Sequence, residues 1–276
     1  MTTDADPAAA APGAGPADRR DWGRYAGLIV PPALVFVAAV ALWEAAVEVF
    51  EIQRFLLPRP SEIVSLFFED FSRLINQGRN TLGVAGRGLV LGGAIGIGLA
   101  ALSFRTRWMA EGLGIYAAVL KAVPVISLAP LTVVWFGIEA GSKIATVSIA
   151  TAPILFTFTL VGLRRADPNA QELMRSYAAG RLRTFWSLHV PYALPFFFSG
   201  LKISVTIAMI VAIISEYFGG SFENLGGYIR NEANNVHTVE VWTAIVMACA
   251  LGIGLYMIVA IIDRFVLRWH SSKRGG

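Results

Sequence analysis

Charge is what this sequence has least of. Asp, Glu, Lys and Arg make up 15% of its 276 residues, where a soluble globular domain carries about 25%. With 55% hydrophobic residues and a mean hydropathy of +0.60, the composition excludes an ordinary water-soluble domain and reads as a polytopic membrane protein. Cysteine is nearly absent. Cys249 stands alone inside an apolar run, so no intrachain disulfide can form, and the residue is expected to be small and buried. Histidine is equally sparse: His189, His237 and His270 are scattered without metal-ligand spacing. No serine, cysteine or carboxylate pair reads as a nucleophile with its base. A phosphate loop is missing too. Gly137–Lys143 invites that reading, but Ser142 precedes Lys143 and the G-x4-G-K-[ST] spacing is not met. Together these absences argue against an enzyme and against a chain that binds ATP or another cofactor itself. The net charge of +4 does not call for nucleic acid, because the basic residues sit beside apolar runs, where membrane topology places them.

What is present is a series of six apolar runs long enough to cross a bilayer. They cover roughly 25–50, 82–104, 113–137, 144–163, 193–218 and 241–267. Pro31 and Pro32 are expected to bend or delay the first helix. Glu44 and Glu48 lie four apart near its outer end and read as interfacial carboxylates. Between the first two runs, Ser61 is expected to cap an amphipathic helix with Ile63, Leu66, Phe67 and Phe71 on its apolar side. In the second run Gly88, Gly92 and Gly96 recur every four residues, a repeat that lets another helix pack closely in lipid. Pro124 and Pro130 are expected to kink the third, beside Lys121. The hydroxyls of the fourth (Thr146, Ser148, Thr151, Thr157, Thr159) are expected to bond back to carbonyls one turn earlier. Ser204, Ala208, Val211 and Ser215 form a small-residue face on the fifth, and Lys202 is expected to snorkel. The loop arginines, with Arg19, Arg20, Arg24, Arg105, Arg107, Arg264, Arg268, Lys273 and Arg274, place both termini in the cytoplasm.

Between the fourth and fifth runs lies a polar stretch with its own helix signals. Asp167 is a good N-cap and Pro168 suits the first helical position. Leu173 and Tyr177 fall four apart on one face. Ala179-Gly180 can turn the chain, and Pro191 is expected to stop the second short helix, which carries Leu182, Phe185 and Trp186. Arg164, Arg165, Arg175, Arg181 and Arg183 mark the loop as cytoplasmic. Two spans need only a few residues to join them, so the extra length reads either as an amphipathic helix lying flat on anionic headgroups, its arginines snorkelling, or as a docking element for a cytoplasmic partner.

The stretch resembles the coupling-loop signature of bacterial ABC importer permeases, E-A-A-x3-G-x9-I-x-L-P. The matching positions are Glu172-Leu173-Met174, Ala178, and Leu188-His189-Val190-Pro191. Leu173 and Met174 replace the two alanines, and Ala178 replaces the glycine, with Gly180 two residues later. Leu120-Lys121-Ala122-Val123-Pro124 through Pro130 to Val134-Trp135-Phe136-Gly137, and Leu57-Pro58-Arg59-Pro60-Ser61-Glu62, are similar to the nitrate/sulfonate/taurine branch.

The resemblance covers roughly 55–268 and implies an all-α integral membrane protein with the six-helix type I importer fold. Outside the resemblance, the Ala, Pro, Gly and Asp composition makes 1–24 a disordered cytoplasmic tail, and the apolar pattern makes 25–50 a first transmembrane helix and 51–80 an external amphipathic segment. A five-helix permease core follows at 81–268 with its coupling loop at 164–192, then a cytoplasmic tail at 269–276. The resemblance implies a bacterial inner-membrane permease working as a homodimer, with a cytoplasmic ATPase dimer that hydrolyses the ATP and an extracytoplasmic solute-binding protein. The solute is expected to be small: nitrate, a sulfonate, taurine, or a nitrogenous compound such as a pyrimidine precursor. Glu172, Leu173, Met174, Tyr177, Ala178, Gly180, Leu188 and Pro191 are the expected ATPase-coupling residues. Lys121, Pro124, Ser127, Ser204 and Ser215 are the expected pathway residues. A self-contained ion-coupled carrier or channel is the alternative; few intramembrane acids and no apparent inverted repeat speak against it.

Overall fold

A computed structural model describes residues 22–219 and 222–267; the tail expected over 1–24 falls almost wholly outside them, and that over 269–276 entirely so. The described residues are nearly all helical, without strands. The chain divides into two compact units, 1–52 and 53–276. The first holds α1 (Trp22–Val49), which runs straight through Pro31 and Pro32. Its stretch Val30–Val49 is long and apolar enough to cross a membrane.

The second unit opens with α2 (Pro60–Glu69). Arg59, not Ser61, is its N-cap, because Pro60 takes the first helical position, where its missing N–H costs nothing. After a break at Asp70, α3 (Phe71–Ser103) begins well before Leu82. Residues 71–80 are too polar to sit in hydrocarbon, yet they continue the helix. Leu74 buries itself against Leu225, Tyr228, Ala244 and Met247 of two later helices. One of these is the short α10 (Leu225–Asn234), and the other is α11 (Thr238–Val266). Burial pushes the Tyr228 phenol up to about 12, against a smaller pull from Arg73, whose guanidinium lies 4.6 Å above its ring.

The third apolar run is broken rather than kinked. α4 (Arg107–Ala122) and α5 (Val125–Phe136) meet at 103° across Val123 and Pro124. Pro130 stays inside α5 without ending it. Pro124 is the N-cap of α5, and its extended backbone turns the chain. Among the described residues, five helices counted singly are long and apolar enough to span a bilayer; the bent pair makes six.

α6 (Ala140–Arg164) is the centre. It packs along α3 on one side and, on another, along α9 (Val190–Phe218). A Cβ on Gly88 would lie 2.5 Å from the Val147 Cβ. One on Gly92 would overlap Thr151 Oγ1 and lie 2.7 Å from the Ser148 carbonyl oxygen, and one on Gly96 would overlap the Ala152 carbonyl oxygen. The three glycines thus let the two backbones nearly touch. Ser148 Oγ uses that proximity to donate to the Gly88 carbonyl across the seam, at 3.0 Å. Thr146, Ser148, Thr151 and Thr157 also bond back one turn along α6. Gly92→Ala is expected to lower stability by roughly 1–3 kcal/mol through overpacking. Gly98, with no atom within 4 Å of an added Cβ, is expected to accept alanine with no loss. Thermal unfolding of the two variants in detergent checks this, and equal melting points would refute the seam.

Candidate functional site

α6 ends at Arg164, and α7 (Pro168–Ser176) follows at once. Asp167 Oδ1 accepts from the Asn169 N–H at 3.0 Å, with Pro168 in the first turn, as the sequence suggested. The C-terminus of α7 is a closed cap. The Ala178 N–H donates to Arg175 O at 2.9 Å and the Ala179 N–H to Met174 O at 3.0 Å. This is the Schellman pattern, which needs a left-handed residue just past the helix. That residue is Ala178, with φ 51°. The signature places glycine at this position, and the geometry gives the reason. Gly180 does a different job: in extended conformation it is the N-cap of α8 (Arg181–Thr184). Left-handed alanine costs about 1–2 kcal/mol, and glycine loses about 0.4–1 kcal/mol more entropy on folding. Ala178→Gly is therefore expected to tighten the α7 cap by about 0.5–1 kcal/mol net, read as slower amide exchange across residues 172–179; unchanged or faster exchange would contradict it.

Pro191 does not stop the second short helix. α8 passes into a π-helical turn, Phe185–His189, and on into α9, giving one helical run from Arg181 to Phe218. Pro191 has no N–H to offer the ladder. It sits in the first turn of α9, just after the π turn. The Val190 N–H reaches back five residues to Phe185 O, so the extra residue of the π turn is absorbed beside the proline.

The turn is clamped from below. Phe185 stacks on Phe104, centroids 5.4 Å apart, and His189 lies 5.1 Å from the same ring. His189 Nδ1 is 2.8 Å from the Leu163 carbonyl oxygen. Leu188 is buried and Met174 half-buried. Phe185, expected among the docking side chains, faces inward as part of this clamp. Leu173, Tyr177, Leu182 and Trp186 project outward, with Tyr177 77% exposed. Glu172 is exposed beside them. At the same end of the bundle, Arg105, Arg164, Arg175 and Arg181 line a polar pocket with Gln171 and His189.

The residues expected along a pathway do not converge. Lys121 and Ser127 are exposed on either side of the Pro124 break, with Lys121 Nζ 3.3 Å from Thr157 Oγ1. Ser204 and Ser215 are buried in helix packing instead. Lys202 does not snorkel: its Nζ lies 2.9 Å from Asp263 Oδ2 on α11. Cys249 is exposed, not buried, because it faces outward from α11.

Two features escaped the sequence reading. Glu216, in the last turn of α9, is fully buried. Its Oε2 accepts from Thr81 Oγ1 at 2.9 Å and from the Gly226 N–H at 3.1 Å; its Oε1 accepts from Asn224 Nδ2 at 3.1 Å. One carboxylate thereby joins α3, α9 and α10. The signal was available: a lone acid closing an apolar run is a site by default. Arg87 is exposed midway along α3, where the flanking glycine repeat drew attention away from it.

The model for the family described as "binding-protein-dependent transport system inner membrane component" matches residues 92–268. The chain belongs to this family. The permease is 29% identical over 250 residues to the formylaminopyrimidine transport permease protein ThiX of Halalkalibacterium halodurans, covering 88% of this chain and 96% of that one. It is 28% identical over 252 residues to the putative aliphatic sulfonates transport permease protein SsuC of Escherichia coli, covering 89% and 94%. A chain of the MetNI methionine ABC transporter, solved in inward-facing conformations, matches with a TM-score of 0.59 at 19% identity, covering 72% of this permease and 98% of that chain. That likeness establishes a common type I importer fold. The protein is a multi-pass membrane permease subunit of an ABC importer, a family that works with a separate ATPase.

Proposed function

We propose that the permease works as a homodimer that takes a small polar solute inward. An ATPase pair would engage the α7–α8 loop on the cytoplasmic side, and a solute-binding protein would meet the opposite end. The observation that carries the reading is the loop surface. Leu173 and Tyr177 at the polar α7, and Leu182 and Trp186 at the start of the helical run from Arg181, are each exposed, and exposed apolar side chains gathered into a patch mark an interaction site. Aromatic anchors supply most of the energy of such contacts. Glu172 lies beside them as the polar anchor, and Met174, Ala178, Gly180, Leu188 and Pro191 hold the loop in shape. The solute class follows the relatives, whose names specify formylaminopyrimidine and aliphatic sulfonates. Lys121, Pro124 and Ser127, at the exposed break between α4 and α5, remain the proposed pathway residues, with Ser204 and Ser215 as the packed wall behind.

Glu172→Arg with Tyr177→Ala is expected to abolish uptake and release or uncouple the ATPase, while the permease still inserts and dimerises. Full ATPase retention on purification, with normal substrate-stimulated ATP hydrolysis, would refute the docking assignment.

Sidedness rests on the arginines gathered at the loop end. It predicts cytoplasmic termini and an external α9–α10 connection. Asn224 is only 7% exposed and would label poorly, so the reporter belongs at Phe222, which is 61% exposed. Phe222→Cys in a Cys249→Ala background is expected to react with an impermeant maleimide from outside intact cells. Labelling only after the cytoplasm is opened would overturn the orientation.

A further inference from the structure

At the end opposite the loop, a pocket of roughly 390 Å³ opens beside the Glu216 hub. Asn80 and Arg87 of α3, Glu139 and Lys143 at the start of α6, and Glu223 and Asn224 before α10 line it. Lys143 is 3% exposed, yet among the described residues its ammonium has no hydrogen-bond or ion-pair partner. Glu216 and then Glu223 balance its charge from nearby, but the Glu216 carboxylate is already engaged by Thr81, Gly226 and Asn224, and Glu223 comes no closer than a charge across the pocket. The donors of Lys143 are therefore unspent. Among the described residues, Arg87 Nε reaches the Gly83 carbonyl of its own helix, at 2.9 Å, and no carboxylate meets its guanidinium. A cation exposed on a spanning helix faces water or a polar partner, because exposure to hydrocarbon costs several kcal/mol. The pocket is large enough for a small organic molecule.

We propose that this pocket is a solute-receiving site at the outer mouth of the permease, taking the anionic oxygen group of a small sulfonate or similar oxyanion on Arg87 and Lys143. Glu139 and Glu223 stand on the same lining and accept an amino group when the solute carries one. The proposal rests on the importer reading above and adds the place and chemistry of recognition.

The test uses the purified full-length permease in nanodiscs, without ATPase or binding protein. Methanesulfonate and taurine are titrated against chloride at constant ionic strength, with the unfolding midpoint as readout. A saturable rise with a sulfonate beyond that with chloride is expected, and Arg87→Gln is expected to weaken it about tenfold by removing a charge-assisted contact. Lys143→Met is the second variant; if it fails to fold beside the buried Glu216, the exposed Arg87→Gln still decides the matter. Tighter binding of taurine than of methanesulfonate, lost in Glu223→Gln, adds the carboxylates to the site. No sulfonate-specific rise, or an unchanged titration in Arg87→Gln, overturns the proposal. ATPase capture by the same preparations reads the importer assignment separately, so a sulfonate-blind permease that still binds its ATPase overturns the pocket alone.

Discussion

The near-contact of the α3 and α6 backbones is the constraint on which the bundle depends. In lipid, apolar side chains gain little by leaving their surroundings for one another, so helices associate through close packing and polar contacts. Gly88, Gly92 and Gly96 remove the side chains that would hold the axes apart. What fills the space is the α6 backbone itself, with Val147, Ser148, Thr151, Ala152 and Phe156. Once α6 is seated, α9 follows: Gly162 lets α6 approach Ala193, and Gly200 lets α9 approach Phe158. Small residues on both helices thus repeat one solution along two seams.

Polar groups then fix the ends of what packing has assembled. Glu216 joins three helices at one end. The Lys202–Asp263 pair joins α9 to α11 nearer the other. Buried charges are poor sources of net stability, because desolvation offsets most of the attraction. Their worth lies in the penalty for mispairing. A register slip of α9 would strand Glu216 among apolar side chains and separate Lys202 from Asp263, each at a cost of several kcal/mol. Sliding seams of small residues would otherwise tolerate such slips.

Much of this was legible in the sequence because its causes are local. Apolar length gave the spans, Asp167-Pro168 gave the start of α7, and the glycine repeat gave the α3 seam. The misreadings share a different cause. Pro191 reads as a stop only while the ladder is taken to be α-helical throughout; a π turn removes the conflict. Lys202 lies far in sequence from Asp263, as Thr81 does from Glu216, and nothing nearby announces either partner. At the candidate coupling site the signature has glycine where this chain has Ala178, and only the backbone, at φ 51°, explains why glycine suits the position.

The π turn has one more consequence. Because it carries the chain past Pro191 without a break, the 38 residues from Arg181 to Phe218 form a single rod about 57 Å long at 1.5 Å per residue. One tip of that rod lies in the exposed loop, and Glu216 sits at the other. Between them the helix is unbroken: the π turn rests against Phe104 and the Leu163 carbonyl, and Pro195 is carried inside α9. Displacement of the loop along the rod therefore has a continuous helix to travel. It arrives as strain on one carboxylate and the three hydrogen bonds that hold it.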